Sequence, residues 1–300
     1  MGTEYVGISG SSGFIGKQLS GYLRTCGIKV VCFSRSEKDS DNSFARHFDM
    51  AEASEDYVDL SGIGSFIHLA GAAHGKYGED TGTIELLGLT RLLRNCVTAN
   101  VRHFIYVSSA AVYGKSYSKV PILAHSIPTP ISDYGISKLR CENLVKKVCM
   151  DNGITFSILR LPLVLGVGAP GNLRLLEKIV VSGVPLPFKS LKNKRSVLWL
   201  DQLCHFVLIQ TYEKQLCNKT VFLCNGVPLS LPQIITWIGM VRSFMPRLFG
   251  RWDFPVFLKN TLFFGKIIGD LEFSGEDYPY SDPGYACQDL AVFLCETSST

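Results

Sequence analysis

Short apolar runs alternate with longer helical patterns through the first half of the chain. Each run is apolar on both faces, which is typical of parallel strands covered by helices on either side. Five runs predict strands: Tyr5–Ile8, Lys29–Phe33, Phe66–Leu69, Phe104–Val107 and Thr155–Leu159. Helical patterns fill the gaps at about 14–26, 83–99 and 133–150. The alternation predicts an α/β fold with a doubly wound parallel sheet.

The pattern changes after Leu159, where we expect irregular structure and a domain crossing. Glycines and prolines crowd this stretch: Pro162, Gly166, Gly168, Pro170 and Gly171. Helical patterns at about 173–181 and 201–212 follow, with short strand patterns at 197–200 and 221–223. We therefore expect a first domain over 1–165, to which 201–225 returns, and a smaller, mostly helical domain over 166–300.

Composition and charge narrow the class of protein. The 300 residues are 46% hydrophobic and 19% charged, enough for a sizeable core. A net charge of +4 without a basic cluster argues against a nucleic-acid partner and favours a small anionic ligand. The ten cysteines show no CxxC and no histidine pairing at zinc spacing, so we expect reduced thiols and no metal.

The sequence carries no pattern of a leader or a membrane span. Met1–Tyr5 has neither a basic nor an apolar leader region, and no apolar stretch reaches about 18 residues. We expect a cytoplasmic protein without an integral membrane segment.

A glycine-rich turn follows the first predicted strand and leads directly into a helix. The run Ser9–Gly16 has the spacing GxxGxxG. Gly10 would permit the tight turn, Gly13 the close approach of a pyrophosphate, and Gly16 the packing of helix on strand. The N–H groups of the first helical turn would face the anion. This setting predicts a dinucleotide site.

The end of the second predicted strand bears on the choice of dinucleotide. A carboxylate that would bind a ribose 2'-hydroxyl is missing there, and Phe33 leads into Ser34 and Arg35. A hydroxyl followed by a guanidinium suits a 2'-phosphate. The pair favours NADP over NAD and leaves both open, since a single arginine often lies simply in solvent.

A phenol and an ammonium share one helix face. Tyr134 and Lys138 stand at i and i+4 in a helix whose start is signalled by Ser132 and Asp133. A nearby cation stabilises phenolate and so favours acid–base work by the tyrosine. The spacing alone has little specificity. A serine at the carboxyl end of the strand Phe104–Val107 would be the matching hydroxyl for a substrate oxygen.

Four motifs in order resemble a known family. They are the glycine turn, His68-Leu69-Ala70-Gly71, Ser108-Ser109-Ala110-Ala111-Val112-Tyr113-Gly114, and the YxxxK of Tyr134 and Lys138. The chain resembles the extended short-chain dehydrogenase/reductases, specifically the nucleotide-sugar epimerase/dehydratase group that includes UDP-galactose 4-epimerase. The likeness runs from Val6 to about Leu203 and continues faintly to Phe273. It implies a Rossmann-type sheet with a C-terminal substrate domain.

The resemblance also implies roles for individual residues. Tyr134 would be the acid/base, Lys138 its electrostatic partner and a ribose ligand, and Ser109, rather than Ser108, the hydroxyl that orients the sugar. Asn172 and Arg195 would bind the nucleotide or its diphosphate. Besides Tyr134 and Lys138, the implied cofactor-binding residues are Gly10, Gly13, Phe14, Ile15, Gly16, Ser34, Arg35, Asp49, Leu69, Ala70, Gly71 and Pro162. Asp49 would meet the adenine, or else be a solvated loop acid.

Two reactions at sugar C4 fit the resemblance. One is 4-epimerisation of a UDP-hexose or UDP-N-acetylhexosamine; the alternative is NADPH-dependent reduction of a UDP-4-keto-6-deoxy sugar. The family also implies a homodimer. One departure matters: family members commonly carry Asn four residues before the position of Thr90, where this chain has Leu86. This departure keeps open a more distant alternative, a non-catalytic protein that senses the cofactor.

Overall fold

The computed structural model describes residues 4–35, 44–52, 57–71, 81–115, 117–118, 120–123, 125–213, 217–249 and 270–274. The chain divides into two compact units. The first comprises Met1–Gly114, Ile127–Leu161 and Leu203–Val221, and the second Lys115–Ser126, Pro162–Gln202 and Phe222–Thr300. Residues 115–126, which the sequence boundaries assign to the first domain, thus belong to the second unit.

Eleven strands and six α-helices are formed by the described residues. In chain order the strands are β1 (Tyr5–Ser9), β2 (Val30–Ser34), β3 (Ala45–His47), β4 (Ile63–His68), β5 (His103–Ser109), β6 (Ile122–Leu123), β7 (Thr155–Leu161), β8 (Leu163–Leu165), β9 (Val197–Trp199), β10 (Lys219–Phe222) and β11 (Phe273–Ser274). The helices are α1 (Phe14–Thr25), α2 (Thr81–Thr98), α3 (Asp133–Asp151), α4 (Asn172–Val181), α5 (Leu200–Glu213) and α6 (Leu231–Val241).

A seven-stranded sheet forms the centre of the first unit. Its order is β10-β7-β5-β4-β1-β2-β3, and every pairing from β3 through to β7 is parallel. The register places Ile8 of β1 beside Cys32 of β2 and Ile67 of β4. The strand order reverses at β1, which creates a switch point between β1 and β4, as in a Rossmann sheet.

Helices cover both faces of this sheet. Phe33 of β2, Phe66 of β4 and Phe104 of β5 pack with Leu89 of α2 and Val145 of α3 into one buried core. On the other face α1 and α5 are neighbours, since the Tyr22 hydroxyl lies 3.2 Å from His205 Nδ1. The predicted fold class, a Rossmann-type doubly wound parallel sheet, is confirmed.

Two local predictions differ from the structure. β3 was not predicted because Ala45-Arg46-His47 has no apolar run, and its residues are only half-buried at the sheet edge. The stretch after Leu159 was predicted to be irregular, which is wrong for its first part: β7 continues to Leu161 and β8 follows directly. Pro162, which lacks an N–H donor, falls between these two strands.

Among its described residues, the second unit has two short parallel ladders and the helices α4 and α6. β8 pairs with β9, with Leu163 beside Val197, and β6 pairs with β11. A capping box formed by Ser230 and Gln233 begins α6. None of the helices in the described part of the chain is long and apolar enough to cross a bilayer.

Candidate active site

The turn after β1 contains glycines at positions where the neighbouring backbone leaves no room for a Cβ atom. Gly10 has φ +70°, and a Cβ there would lie 2.8 Å from the backbone nitrogen of Ala70. A Cβ on Gly16 would overlap the Gly10 carbonyl and lie 2.7 Å from Ser11 Cα. These contacts hold the turn against the residues that follow β4 and the helix against the turn. Leu69 and Ala70 therefore border it.

The start of α1 fits the pyrophosphate of a dinucleotide. Gly13 is the N-cap residue, its N–H donates to the Gly10 carbonyl at 3.0 Å, and no side chain in the described structure caps the first turn. Phe14 and Ile15, both half-buried, begin the helix. Exposed backbone N–H groups and the positive end of the helix dipole suit an anion at this place.

The predicted adenine-side residues lie at the ends of β2 and β3. Ser34 is the last residue of β2, and Arg35 follows it as an exposed residue. Asp49 follows β3; its Oδ1 accepts the N–H of Ala51 at 3.0 Å. This local turn occupies one carboxylate oxygen of Asp49.

Two serines end β5 in different surroundings. Ser108 is buried and donates to Glu142 Oε1 at 2.6 Å. Ser109 is half-buried, and its Oγ accepts the N–H of Ala111 at 3.2 Å, which begins a 3-10 helix at Ala110–Tyr113. The pleat places neighbouring side chains on opposite faces of the strand. Ser108 therefore belongs to the interior, and Ser109 lies at the carboxyl edge of the sheet.

The start of α3 rests on the turn that follows Ser109. The Ser132 hydroxyl accepts the N–H of Gly135 at 3.1 Å and caps the helix. A Cβ on Gly135 would lie only 2.5 Å from the Ala111 carbonyl oxygen, so glycine permits this close approach. The structure thus brings Tyr134, which is half-buried in the first turn of α3, beside the Ser109 turn.

Lys138, one helical turn after Tyr134, is buried in an ion pair with Glu85 of α2. Its Nζ donates to Glu85 Oε1 at 2.7 Å, and the Ser137 hydroxyl donates to Oε2 at 2.6 Å. Lys138 is 4% exposed and Glu85 2%. The ammonium lies 5.3 Å from the ring centre of Tyr106 and 5.7 Å from that of Tyr134.

Burial alone would lower the pKa of Lys138. The interactions with Tyr106, Tyr134 and Glu85 together outweigh burial and raise the Lys138 pKa well above its usual value. The lysine therefore keeps its proton at every physiological pH. A Cβ on Gly71 would lie 2.8 Å from both Lys138 Nζ and Glu85 Oε1, so the backbone after β4 passes directly over the ion pair.

A second buried network lies behind Ser109. Arg160 of β7 donates through Nη2 to Glu142 Oε2 at 2.6 Å and through Nε to Oε1 at 2.9 Å. Its Nη1 donates to the Tyr113 hydroxyl at 3.1 Å. This bidentate pair ties α3 to β7 and to the 3-10 helix, because each partner belongs to a different element.

The structure adds residues to the site that the sequence did not predict. Glu85 is one of them, and it lies on the same helix face as buried Leu89, Leu92 and Cys96. A carboxylate on an otherwise apolar helix face is the sequence signal that could have indicated it. Leu86, the departure noted in the sequence, packs against the hydrophobic core instead. The position that faces Lys138 is therefore 85.

The predicted substrate-side residues belong to the second unit. Asn172 is the exposed first residue of α4, after Gly171 with φ +67°. The Arg195 backbone exchanges two hydrogen bonds with Leu229, each 2.9 Å long. Arg195 is half-buried; burial lowers its pKa, and Asp270 opposes this effect. Pro162, between β7 and β8, is also half-buried.

A Rossmann sheet with an uncapped glycine turn at its switch point defines a dinucleotide-binding α/β protein. The model of the NAD dependent epimerase/dehydratase family matches residues 6–217, and the chain belongs to this family of enzymes.

Similar proteins agree with the family. UDP-glucose 4-epimerase from Vibrio cholerae is 25% identical over 272 residues, which cover 87% of this chain and 81% of the relative. Among solved structures, MoeE5 in complex with UDP-glucuronic acid and NAD is similar with a TM-score of 0.71 at 20% identity, covering 99% of this chain and 100% of the other. UDP-glucose 4-epimerase from Thermotoga maritima with UDP-glucose has a TM-score of 0.71 at 17% identity, covering 98% and 99%.

Proposed function

We propose that the protein is an NAD(P)-dependent nucleotide-sugar 4-epimerase acting on a UDP-hexose or a UDP-N-acetylhexosamine. The observation that carries the proposal is the start of α3, where Tyr134 lies beside the Ser109 turn and 5.7 Å, ring centre to Nζ, from the Lys138 ammonium. A half-buried phenol near a permanent cation, beside the turn that carries a strand-end hydroxyl, is suited to exchange a proton with a sugar hydroxyl. The relatives named for UDP-glucose 4-epimerisation support the substrate class.

In the proposed reaction Tyr134 takes the proton from the C4 hydroxyl and later returns it. Lys138 stabilises the phenolate form through its charge, and Ser109 donates a hydrogen bond to the reacting sugar oxygen. NAD(P), when bound at the glycine turn, would accept the C4 hydride and return it. If the sugar presents its opposite face before the return, the configuration at C4 is inverted.

Arg195 and Asn172 are proposed to bind the nucleotide diphosphate. A guanidinium can grip two phosphate oxygens at once, and half-burial strengthens its interaction with an anion. The exposed start of α4 at Asn172 adds backbone N–H groups of the kind that bind phosphate.

The alternative reaction is NADPH-dependent reduction of a UDP-4-keto-6-deoxy sugar. It is favoured by Ser34, the last residue of β2, and by Arg35 directly after it, where NAD enzymes carry a carboxylate. The cofactor that remains with fresh protein after purification distinguishes the two reactions. Tightly held NAD supports the epimerase, whereas an empty site that prefers NADPH supports the reductase.

Turnover by purified protein tests the proposal. We expect UDP-galactose and UDP-glucose, or their N-acetyl forms, to interconvert, as measured by chromatography of the nucleotide sugars. Tyr134→Phe is expected to lower the rate by about 10²- to 10⁴-fold while dinucleotide binding stays nearly intact. Tyr57→Phe, at a tyrosine that is 72% exposed, is the matched control. Dinucleotide binding without turnover of any UDP-sugar or 4-keto sugar would contradict both reactions and favour the non-catalytic alternative.

A homodimer and a cytoplasmic location remain predictions. Sedimentation of the purified protein tests the first, and fractionation of cells that produce the full chain tests the second.

A further inference from the structure

A buried carboxylate faces the ammonium that the proposed reaction depends on. Glu85 is 2% exposed, and both of its oxygens are engaged, Oε1 by Lys138 and Oε2 by Ser137. Two helices are joined here, since Glu85 belongs to α2 and the other two residues to α3. Such a pair is costly to bury, and losing one partner would leave an uncompensated charge.

The position of Glu85 gives it an electrostatic effect on Tyr134. Its Oε1 lies 2.7 Å from the ammonium nitrogen, which in turn lies 5.7 Å from the Tyr134 ring centre. A cation paired with an anion at this distance presents a dipole to the phenol, and the field of a dipole is weaker than that of a free charge. The phenolate of Tyr134 is therefore stabilised less than an unpaired lysine would stabilise it.

Other groups that face Lys138 in the described structure do not supply this compensation. The Tyr106 ring of β5 lies 5.3 Å from Nζ, and burial raises the pKa of Tyr106 well above its usual value. Burial, with the charge of Lys138, lowers the pKa of His68 in β4 to about 3. Burial, with Glu85, raises the pKa of Cys141 in α3 to about 11. All three are neutral near pH 7, so Glu85 is the counter-charge among these groups.

We propose that Glu85 is a positioning residue: it holds the Lys138 ammonium beside Tyr134 and, by compensating its charge, sets the pH at which Tyr134 exchanges protons. This inference rests on the proposed function, because it assigns Glu85 a role toward the same acid–base tyrosine. Ser137 assists by fixing the second oxygen of the carboxylate.

Glu85→Gln tests the charge while keeping the shape of the side chain. The midpoint of the acid limb of kcat/KM for UDP-sugar epimerisation is expected to move to lower pH, because Lys138 loses its counter-charge. The same shift is expected in a titration of phenolate absorbance, taken as the difference between each protein and its Tyr134→Phe counterpart. Glu85→Asn, a second neutral amide, is expected to shift both midpoints in the same direction, so either variant that folds provides the measurement.

Asp151→Asn is the matched control. It removes one negative charge from the exposed C-terminal end of α3, 17 residues or about 25 Å from Tyr134, and is expected to leave both midpoints unchanged.

The two proposals fail in different ways. A wild-type protein that turns over no nucleotide sugar contradicts the proposed function, while the absorbance titration still tests Glu85. Unchanged or raised midpoints in the Glu85 amide variants, with an active wild type, overturn the role of Glu85 and leave the proposed function intact.

Discussion

His68 makes the stability of the fold depend on pH. This side chain is fully buried at the end of β4, and its Nδ1 lies 2.7 Å from the Ser9 hydroxyl. In the described structure its Nε2 has no hydrogen-bond partner. Protonation would place N–H groups on both ring nitrogens and a charge in the core near Lys138. Burial is the larger cause, and Lys138 the smaller, of the lowered His68 pKa of about 3.

The magnitude follows from linkage between protonation and folding. The unfolded chain binds a proton at this imidazole below its usual pKa of 6.5, whereas the folded protein does not until about pH 3. The unfolded state therefore binds more protons in this window, and stability falls as the pH falls below 6.5. From pH 7 to pH 5 the loss attributable to His68 is about 2 kcal/mol.

Urea unfolding at pH 7 and pH 5, followed by circular dichroism, measures this loss. The reference is a double variant, Ser9→Ala with His68→Phe, which removes both polar partners and keeps an aromatic ring among Phe48, Phe104 and Tyr106. The wild type is expected to lose about 2 kcal/mol more than this variant between the two pH values. Equal losses in the two proteins would refute the assignment of a neutral, buried imidazole.

Three further predictions concern the site and its supports. Ser109→Ala is expected to lower kcat by about 10²- to 10³-fold and, by losing the bond from the Ala111 N–H, to lower the free energy of unfolding by about 0.5–2 kcal/mol. Ser108→Ala, which removes a donor to a buried carboxylate, is expected to lower the free energy of unfolding by about 1–3 kcal/mol; turnover of both variants separates the two serines. Gly10→Ala is expected to abolish dinucleotide binding in calorimetry, because the positive φ and the neighbouring backbone leave no room for a Cβ; binding at wild-type affinity would contradict it. Arg160→Met is expected to lower the free energy of unfolding by about 3–5 kcal/mol, because it leaves the Glu142 carboxylate without its cation. Adding Glu142→Leu is expected to restore most of the lost stability; a single variant as stable as the double would count against this prediction.

The sequence predicted the sheet well where its strands are apolar on both faces. β5 and β7 were found in this way, since buried parallel strands produce continuous apolar runs. β3 was not predicted because three half-buried residues at a sheet edge produce no such run. β8 was not predicted because glycines and prolines surround it in the sequence. Its pairing with β9 also connects positions more than thirty residues apart, which a local pattern does not show.

The candidate site was predictable only as far as local spacing reaches. Tyr134 and Lys138 lie one turn apart on one helix, so their proximity follows from helical geometry. Glu85 reaches Lys138 from another helix, 53 positions away in the chain, and only the packing of α2 on α3 brings the two together. Arg160 likewise contacts Glu142 only because α3 packs on β7.

The chain leaves the first unit between Ser109 and Tyr134, the two residues proposed to exchange hydrogen bonds or protons with the sugar, and then returns to it. Residues 115–126, between Ser109 and Tyr134, belong to the second unit. Close to both ends of this excursion, the Thr129 hydroxyl donates to the Tyr113 carbonyl at 3.2 Å. Lengthening a loop that is closed at its base costs little free energy. Insertions and deletions within 115–126 are therefore expected to leave the fold of the first unit, including the positions of Ser109 and Tyr134, unchanged.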